Sequence, residues 1–154
     1  MNINNSRRWD IVGQALVDES LKRMKKNGLK HTEKREELLK LFAAEERYLT
    51  AKDVQQKLED LYPTLSFDTI YRNLYSFVDI GILETTELNN EKLFRMTCLQ
   101  EGHHHHHFIC EECGRTIQLE MCPMDFFKEQ LQNCLLKSHR FEIFGICNLC
   151  TAKA

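Results

Sequence analysis

The sequence contains no run approaching the roughly 20 consecutive apolar residues needed to cross a bilayer. Its first nine residues are largely polar and lack the apolar stretch of a secretory signal. A membrane span and export are therefore not expected, and the expected location is the cytoplasm. An excess of one charge is also lacking: the formal net charge is −2, so charge alone does not announce a nucleic-acid partner. There are two prolines, Pro63 and Pro123, no Pro/Ser-rich linker and no internal repeat. The 154 residues fit one ordinary domain or two small ones. No HExxH motif is present. A catalytic zinc needs an open coordination position and a positioned base. Neither an enzyme nor a small organic substrate is expected.

What is present is unevenly distributed. All seven cysteines and six of the seven histidines fall between Cys98 and Cys150. An odd cysteine count does not suit a disulfide framework, whereas short-spaced pairs in a cytosolic chain point to metal. Charge is local too. Over 22–35, Lys22, Arg23, Lys25, Lys26, Lys30, Lys34 and Arg35 are opposed by Glu33 alone. Such a stretch is either a solvated helix face or a phosphate-contacting patch.

Periodicity divides the chain. Residues 1–17 are weakly patterned and read as an N-terminal arm or short helix. A helix is expected over 18–27, stopped by Gly28. A second follows Thr32 as N-cap, with Leu38, Leu39, Leu41 and Phe42 inward. A third starts at Thr50, with Val54, Leu58 and Leu61 on one face, and ends at Pro63. A fourth is capped by Ser66, carries Phe67, Ile70, Leu74, Phe77 and Val78 as its apolar stripe, and closes at Gly81. Thr69 and Arg72 lie on its polar side and Tyr71 at the edge. The period then becomes that of strands over 82–88 and 92–97, with Asn89, Asn90 and Glu91 as a hairpin turn. Helices followed by a β-hairpin is the order of a winged helix, whose last helix enters the major groove. Residues 98–102 read as a hinge. Residues 103–154 read as a small α/β domain, with strands over 103–110, 115–120 and 141–147 and a helix over 123–136. The fold class expected is α+β, with a winged helix over 18–97.

Cys110-Glu-Glu-Cys113 and Cys147-Asn-Leu-Cys150 are two CxxC pairs. Each lets two thiolates approach one ion from a single turn, and four thiolates suit tetrahedral Zn²⁺. A domain of about 50 residues buries little apolar surface, so a metal staple has a physical purpose. Packed thiols or a redox pair are the competing readings. His103 to His107 form an unbroken run. In a strand, side chains alternate, so His104 and His106 point one way and His103, His105 and His107 the other. A disordered loop that binds metal loosely is the alternative. Cys98 can join His105 and His107, with Glu84 as a candidate fourth ligand from the other domain. A Cys/His/carboxylate set suits Zn²⁺, whereas a purely nitrogen and oxygen set suits Fe²⁺ or Mn²⁺ better. On the opposite face, Asp125 and His139 are candidate partners for His104 and His106, each with an ordinary structural reading as well. Cys122 and Cys134 are expected to be free thiols without a metal role.

Taken together, Ser66-Phe-Asp-Thr-Ile-Tyr-Arg-Asn-Leu74, the histidine run leading into Phe108-Ile-Cys110-Glu-Glu-Cys113-Gly114, and the terminal Cys147-x-x-Cys150 resemble the ferric uptake regulator family. The resemblance spans about 21–150 and is closest to the zinc uptake regulators. Cys98 stands where iron and peroxide sensors of the family usually have a carboxylate, and Tyr48 where they usually have a histidine ligand. The resemblance implies a winged-helix DNA-binding domain, a hinge and a dimerisation domain. It implies a structural zinc at Cys110, Cys113, Cys147 and Cys150, and a regulatory zinc at Glu84, Cys98, His105 and His107. A third metal site maps onto His104, His106, Asp125 and His139, with Asp125 where the family usually has Glu. One structural and one or two regulatory Zn²⁺ per subunit are expected. Tyr71 and Arg72 correspond to the family's DNA-reading pair. Thr69, Lys22, Lys26 and Lys52 are further candidate contacts. The implied function is a zinc-responsive repressor of zinc uptake genes, binding inverted-repeat operator DNA as a homodimer. An iron- or peroxide-responsive relative, and a zinc-buffering protein without DNA binding, are the alternatives.

Overall fold

Glycines and short polar caps punctuate the N-terminal half. Helix α1 (Ile3–Lys26) ends where Gly28 takes a positive φ of 71°. Helix α2 (Glu33–Ala44) is capped by Thr32, whose hydroxyl accepts from the Arg35 N–H. Thr50 and Asp53 form a capping box at the start of α3 (Ala51–Leu58). Ser66 caps α4 (Phe67–Asp79) by accepting from the Thr69 N–H. This computed structural model describes residues 3–45, 47–98 and 105–153, with side chains from Val12 onward. His104 and most of the expected hinge lie outside the described residues.

The chain divides into two compact units, Met1–Leu99 and Gln100–Ala154. In the first, β1 (Leu49–Thr50), β2 (Leu83–Leu88) and β3 (Glu91–Met96) form an antiparallel sheet in the order β1-β3-β2. Asn89 and Asn90 turn the β2–β3 hairpin with φ of 52° and 63°, the positive pair that a type I′ turn requires. The core joins Val17 and Met24 of α1, Leu38, Leu39 and Phe42 of α2, Val54 and Leu58 of α3, and Ile70, Leu74 and Phe77 of α4 to Leu83 and Phe94. These helices and the hairpin form a winged helix.

Three local expectations differ. The first helix starts at Ile3 and runs unbroken to Lys26, where an arm or a short helix up to residue 17 and a separate helix over 18–27 were expected. Its inner face carries Gly13 and Ser20 at positions where an apolar residue would have signalled a helix. A Cβ on Gly13 would lie 3.9 Å from the Ala43 carbonyl oxygen, and the buried Ser20 hydroxyl donates to the Leu16 carbonyl at 2.7 Å. Leu61, expected inward on α3, is exposed because the helix stops at Leu58. Phe67, expected in the apolar stripe of α4, is also exposed, while Ile70, Leu74 and Phe77 are buried.

In the second unit, β4 (His106–Cys110) is the central strand, antiparallel to β5 (Thr116–Leu119) and parallel to β6 (Glu142–Gly145). The connection to β6 carries α5 (Met124–Lys128) and a 3₁₀ turn, Glu129–Leu131, shorter than the helix expected over 123–136. Phe126 and Leu135 along it are 70% and 84% exposed. A helix gains most of its stability from burying one face, which this connection does not do within its own chain. A short α6 (Asn148–Thr151), not expected from periodicity, follows directly on Cys147.

Gly81 ends α4 with φ of 72°, and an added Cβ there would meet Arg23 Nη1 at 3.3 Å. That guanidinium donates to the Gly81 carbonyl at 2.9 Å, tying α1 to the start of the wing. Gly81→Ala should lower the unfolding free energy by about 1–2 kcal/mol, the cost of a left-handed residue with a side chain. Urea denaturation of the two proteins checks this; equal midpoints would contradict it.

Candidate metal centres and nucleic-acid interface

Cys110 closes β4, and Gly114 reverses the chain with φ of 72° so that Cys113 turns back beside it. Cys147 heads α6 and Cys150 lies one turn later. The four sulfurs all lie within 4.8 Å of one another. Cys110 and Cys150 Sγ are 4.0 Å apart, and Cys113 and Cys147 Sγ 3.8 Å. These separations are far beyond a disulfide bond, and none of the four is in a disulfide. Four thiolates at the Zn–S distance of 2.3 Å stand about 3.8 Å apart at the corners of a tetrahedron. The cluster fits a structural zinc.

Electrostatics around the sulfurs are uneven. Burial pushes the Cys110 thiol up, but the backbone N–H groups of Cys147, Cys113 and Glu112 outweigh it and bring it down to about 6. The Cys147 N–H lies 3.3 Å from that sulfur. Burial raises Cys113, and hydrogen bonding to Cys147 raises Cys150. Without a cation, the cluster therefore holds a thiolate most readily at Cys110.

The expected regulatory ligands fall in both units. Glu84, on β2, pairs across the hairpin with Arg95, whose Nη1 donates to its Oε1 at 3.3 Å. The buried Tyr48 hydroxyl donates to the same oxygen at 3.1 Å. Cys98 is exposed just after β3. His105 and His107 share one side of their strand, with ring centroids 6.4 Å apart. His106 turns the other way, and its ring meets His139 at 5.0 Å.

The group around His106 differs from the expected third site. His106 Nε2 is 3.2 Å from His139 Nε2, which is 3.2 Å from Cys122 Sγ. These three residues form a metal-capable group. Asp125 does not join it. Its exposed carboxylate pairs with Lys128 Nζ at 2.7 Å, and this contact holds its pKa below the usual carboxylate value. Asp125 lies in the first turn of α5, where a lysine three residues on is in reach. Cys122, expected to be a free thiol without a metal role, instead precedes that helix beside His139. Its proximity had no signal in spacing, because it depends on how the chain returns from α5 to β6.

On α4, Arg72 is exposed and ion-paired with Asp68 one turn earlier. Tyr71 stacks with Tyr75, centroids 6.1 Å apart, and tilts against Phe94 of the hairpin at 6.3 Å. Thr69 hydrogen-bonds to the Ser66 hydroxyl at 3.0 Å. Lys22, Lys26 and Lys52 are exposed, Lys22 lying 3.8 Å from Glu19. Other members of the basic stretch have structural roles. Arg23 holds Gly81, Arg35 donates to Asn73 of α4 at 2.9 Å, and Lys34 lies 5.4 Å over the Tyr62 ring.

A winged helix followed by a sheet closed with four thiols defines a DNA-binding, metal-binding regulator. The sequence model of the Ferric uptake regulator family matches residues 26–144, and the chain belongs to that family. Its members are dimeric, metal-responsive transcription regulators, not enzymes. The chain is 48% identical over 138 residues to the "Ferric uptake regulation protein" of Staphylococcus epidermidis, covering 90% of this chain and 98% of that one. It is similar to the Vibrio cholerae ferric uptake regulator structure, with a TM-score of 0.64 and 27% identity, covering 80% of this chain and 96% of the other. A zinc uptake regulator complexed with zinc and DNA shares the fold, with a TM-score of 0.67 and 23% identity over 92% of this chain and 96% of that one.

The purified protein should carry one tightly held zinc per chain, and Cys113→Ser should lose it. Metal analysis together with circular dichroism checks this. The helices of the first unit should survive the loss, because their core contains none of the four thiols. A full complement of tightly held zinc in Cys113→Ser would rule the cluster out.

Proposed function

We propose that the protein is a zinc-responsive transcriptional repressor that binds inverted-repeat operator DNA as a homodimer and controls zinc uptake genes. The observation that carries the metal choice is the pair Tyr48 and Cys98. Tyr48 stands where iron and peroxide sensors of the family usually have a histidine ligand, and here it is a buried phenol bonded to Glu84. Cys98 adds an exposed thiol where those sensors usually have a carboxylate. The proposed regulatory ligands are Glu84, Cys98, His105 and His107, a set whose sulfur favours Zn²⁺ over Fe²⁺. Zinc bound there would favour the DNA-competent form by about 1–3 kcal/mol, the usual scale of allosteric coupling.

Dimerisation is supported by the exposed apolar side chains of the second unit, among them Met121, Phe126, Leu135, Phe144 and Leu149. For DNA, Arg72 is the proposed base-reading residue, bidentate to guanine after release from Asp68. Tyr71 and Thr69 are proposed beside it, and Lys22, Lys26 and Lys52 on phosphates. An iron-responsive regulator is the second reading, favoured by the name of the Staphylococcus epidermidis relative at 48% identity.

Fluorescence anisotropy on a family-type inverted repeat, with free Zn²⁺ and Fe²⁺ buffered separately at fixed salt, separates the two. Zinc at low free concentration should switch on tight binding, and Cys98→Ser should abolish the switch with the protein still folded. An equal response to iron, or an unchanged response in Cys98→Ser, would overturn the zinc reading. In the same assay, Arg72→Ala should lose about 1–3 kcal/mol of discrimination at one base pair. Lys26→Ala should weaken all sequences about equally and reduce the salt dependence. Unchanged operator preference in Arg72→Ala would remove it from base readout.

A further inference from the structure

The Cys122 thiol has no part in the functions described so far, yet it faces two imidazoles. His106 opens β4 and is 5% exposed, its ring held edge-on by Phe141 at 5.7 Å. His139 comes from the segment entering β6, and Cys122 from the segment entering α5. Their donor atoms all lie within 4.8 Å of one another, with His139 Nε2 at 3.2 Å from both its neighbours. In a tetrahedral zinc site, with Zn–N of 2.0–2.1 Å and Zn–S of 2.3 Å, nitrogen pairs stand about 3.3 Å apart and nitrogen–sulfur pairs about 3.6 Å. The two distances from His139 Nε2 are within a few tenths of an ångström of these, and the His106–Cys122 pair lies within 4.8 Å. Hydrogen bonds explain pairs of contacts; convergence of three donors on one point is what an ion requires.

We propose that His106, Cys122 and His139 form a thiolate-containing site for a borderline-soft divalent cation, Zn²⁺ or its mimic Co²⁺, with the remaining position left to water. This donor set is distinct from the His104, His106, Asp125 and His139 group that the family resemblance implies. Sulfur replaces the carboxylate, and Asp125 is engaged by Lys128. One sulfur and two imidazoles favour Zn²⁺ over Fe²⁺, Mn²⁺ or Mg²⁺. The ion also has a structural effect. Cys122 and His139 are 17 residues apart in sequence and bracket the connection that carries α5. Phe126, Phe127, Leu131, Leu135 and Leu136 of this connection are exposed. Joining its two ends to β4 restrains a segment that has little apolar packing of its own.

The test uses the full-length protein with the Cys₄ zinc retained and exchangeable metal removed by a mild chelator. Co²⁺ is then titrated while the thiolate-to-cobalt charge-transfer band is followed. Cys98→Ser serves as background, so that the proposed regulatory site contributes no thiolate. In that background one Co²⁺ should bind with a charge-transfer band. Adding Cys122→Ser should remove the band and weaken that Co²⁺ by more than about 10-fold, the scale on which even neighbours of a ligand alter metal affinity. Asp125→Asn should leave band and affinity unchanged. Retained Cys₄ zinc and an unchanged circular dichroism spectrum establish that each variant is folded. The proposal is overturned if no band appears in Cys98→Ser, if the band survives Cys122→Ser, or if Asp125→Asn removes the metal. None of these readings depends on DNA, so a failed zinc switch at Cys98 and a failed site at Cys122 are separately visible.

Discussion

Four sulfurs brought within 4.8 Å of one another set the terms for the C-terminal half. Among its described residues, the buried side chains of any size are His106, His107, Ile109, Cys110 and Cys147. That is too little apolar surface to offset the conformational entropy of about 50 residues. The two cysteines that are buried belong to the thiol cluster, and Ile109 stands next to one of them. The sheet supplies the geometry, since β4 and β6 run parallel with Cys110 opposite Gly145, which carries the chain directly to Cys147. A cation at this point would fasten the Cys147–Cys150 segment to the middle strand, in place of the hydrophobic core that a larger domain would have. The exposed apolar residues around it are the other half of the same shortage.

The N-terminal half has the opposite economy. Its core is continuous across four helices and the hairpin, so its polar residues are free to specify position. Arginines fasten elements together. Arg23 joins α1 to the turn after α4, and Arg35 joins α2 to the middle of α4 through Asn73. Asn73 in turn donates to the Thr69 carbonyl one turn earlier in α4, so the residue that receives Arg35 is itself fixed in place. The stacked Tyr71 and Tyr75 against Phe94 couple the same helix to the wing. A net charge near neutral is compatible with a nucleic-acid surface because several cations of the basic stretch are used internally and others are left exposed.

Short-range chemistry was legible in the sequence. The caps at Thr32, Thr50 and Ser66, the Asn89–Asn90 turn and the two CxxC pairs each depend on residues within a few positions of one another. The side-to-side alternation of His105, His106 and His107 follows from the pleat of a strand. Less legible was anything decided by packing between distant segments. The early start of α1 is hidden because Gly13 and Ser20 occupy its inner face. The expected helix over 123–136 fails beyond Leu131 because its apolar stripe finds no partner in the same chain. The approach of Cys122 to His139 depends on a connection whose path no local pattern sets.

The ligand chemistry of the three candidate centres has a common element. The Cys₄ cluster is all sulfur, the proposed regulatory set contains Cys98, and the group on the other face of β4 contains Cys122. Divalent metals bind a given site in an order in which Zn²⁺ already exceeds Fe²⁺, and thiolate ligands widen that difference. A regulator that measured Fe²⁺ through these centres would have to exclude zinc from each of them by geometry or availability. Tyr48 adds to the same argument. Its hydroxyl and Arg95 both donate to one oxygen of Glu84, fixing the orientation of the carboxylate without adding a nitrogen donor. A histidine at this position would add a nitrogen donor, whereas the Tyr48 phenol orients the carboxylate. The proposed choice of zinc therefore rests on sulfur at Cys98 and Cys122, and on the phenol at Tyr48, more than on the histidine run that first attracts notice.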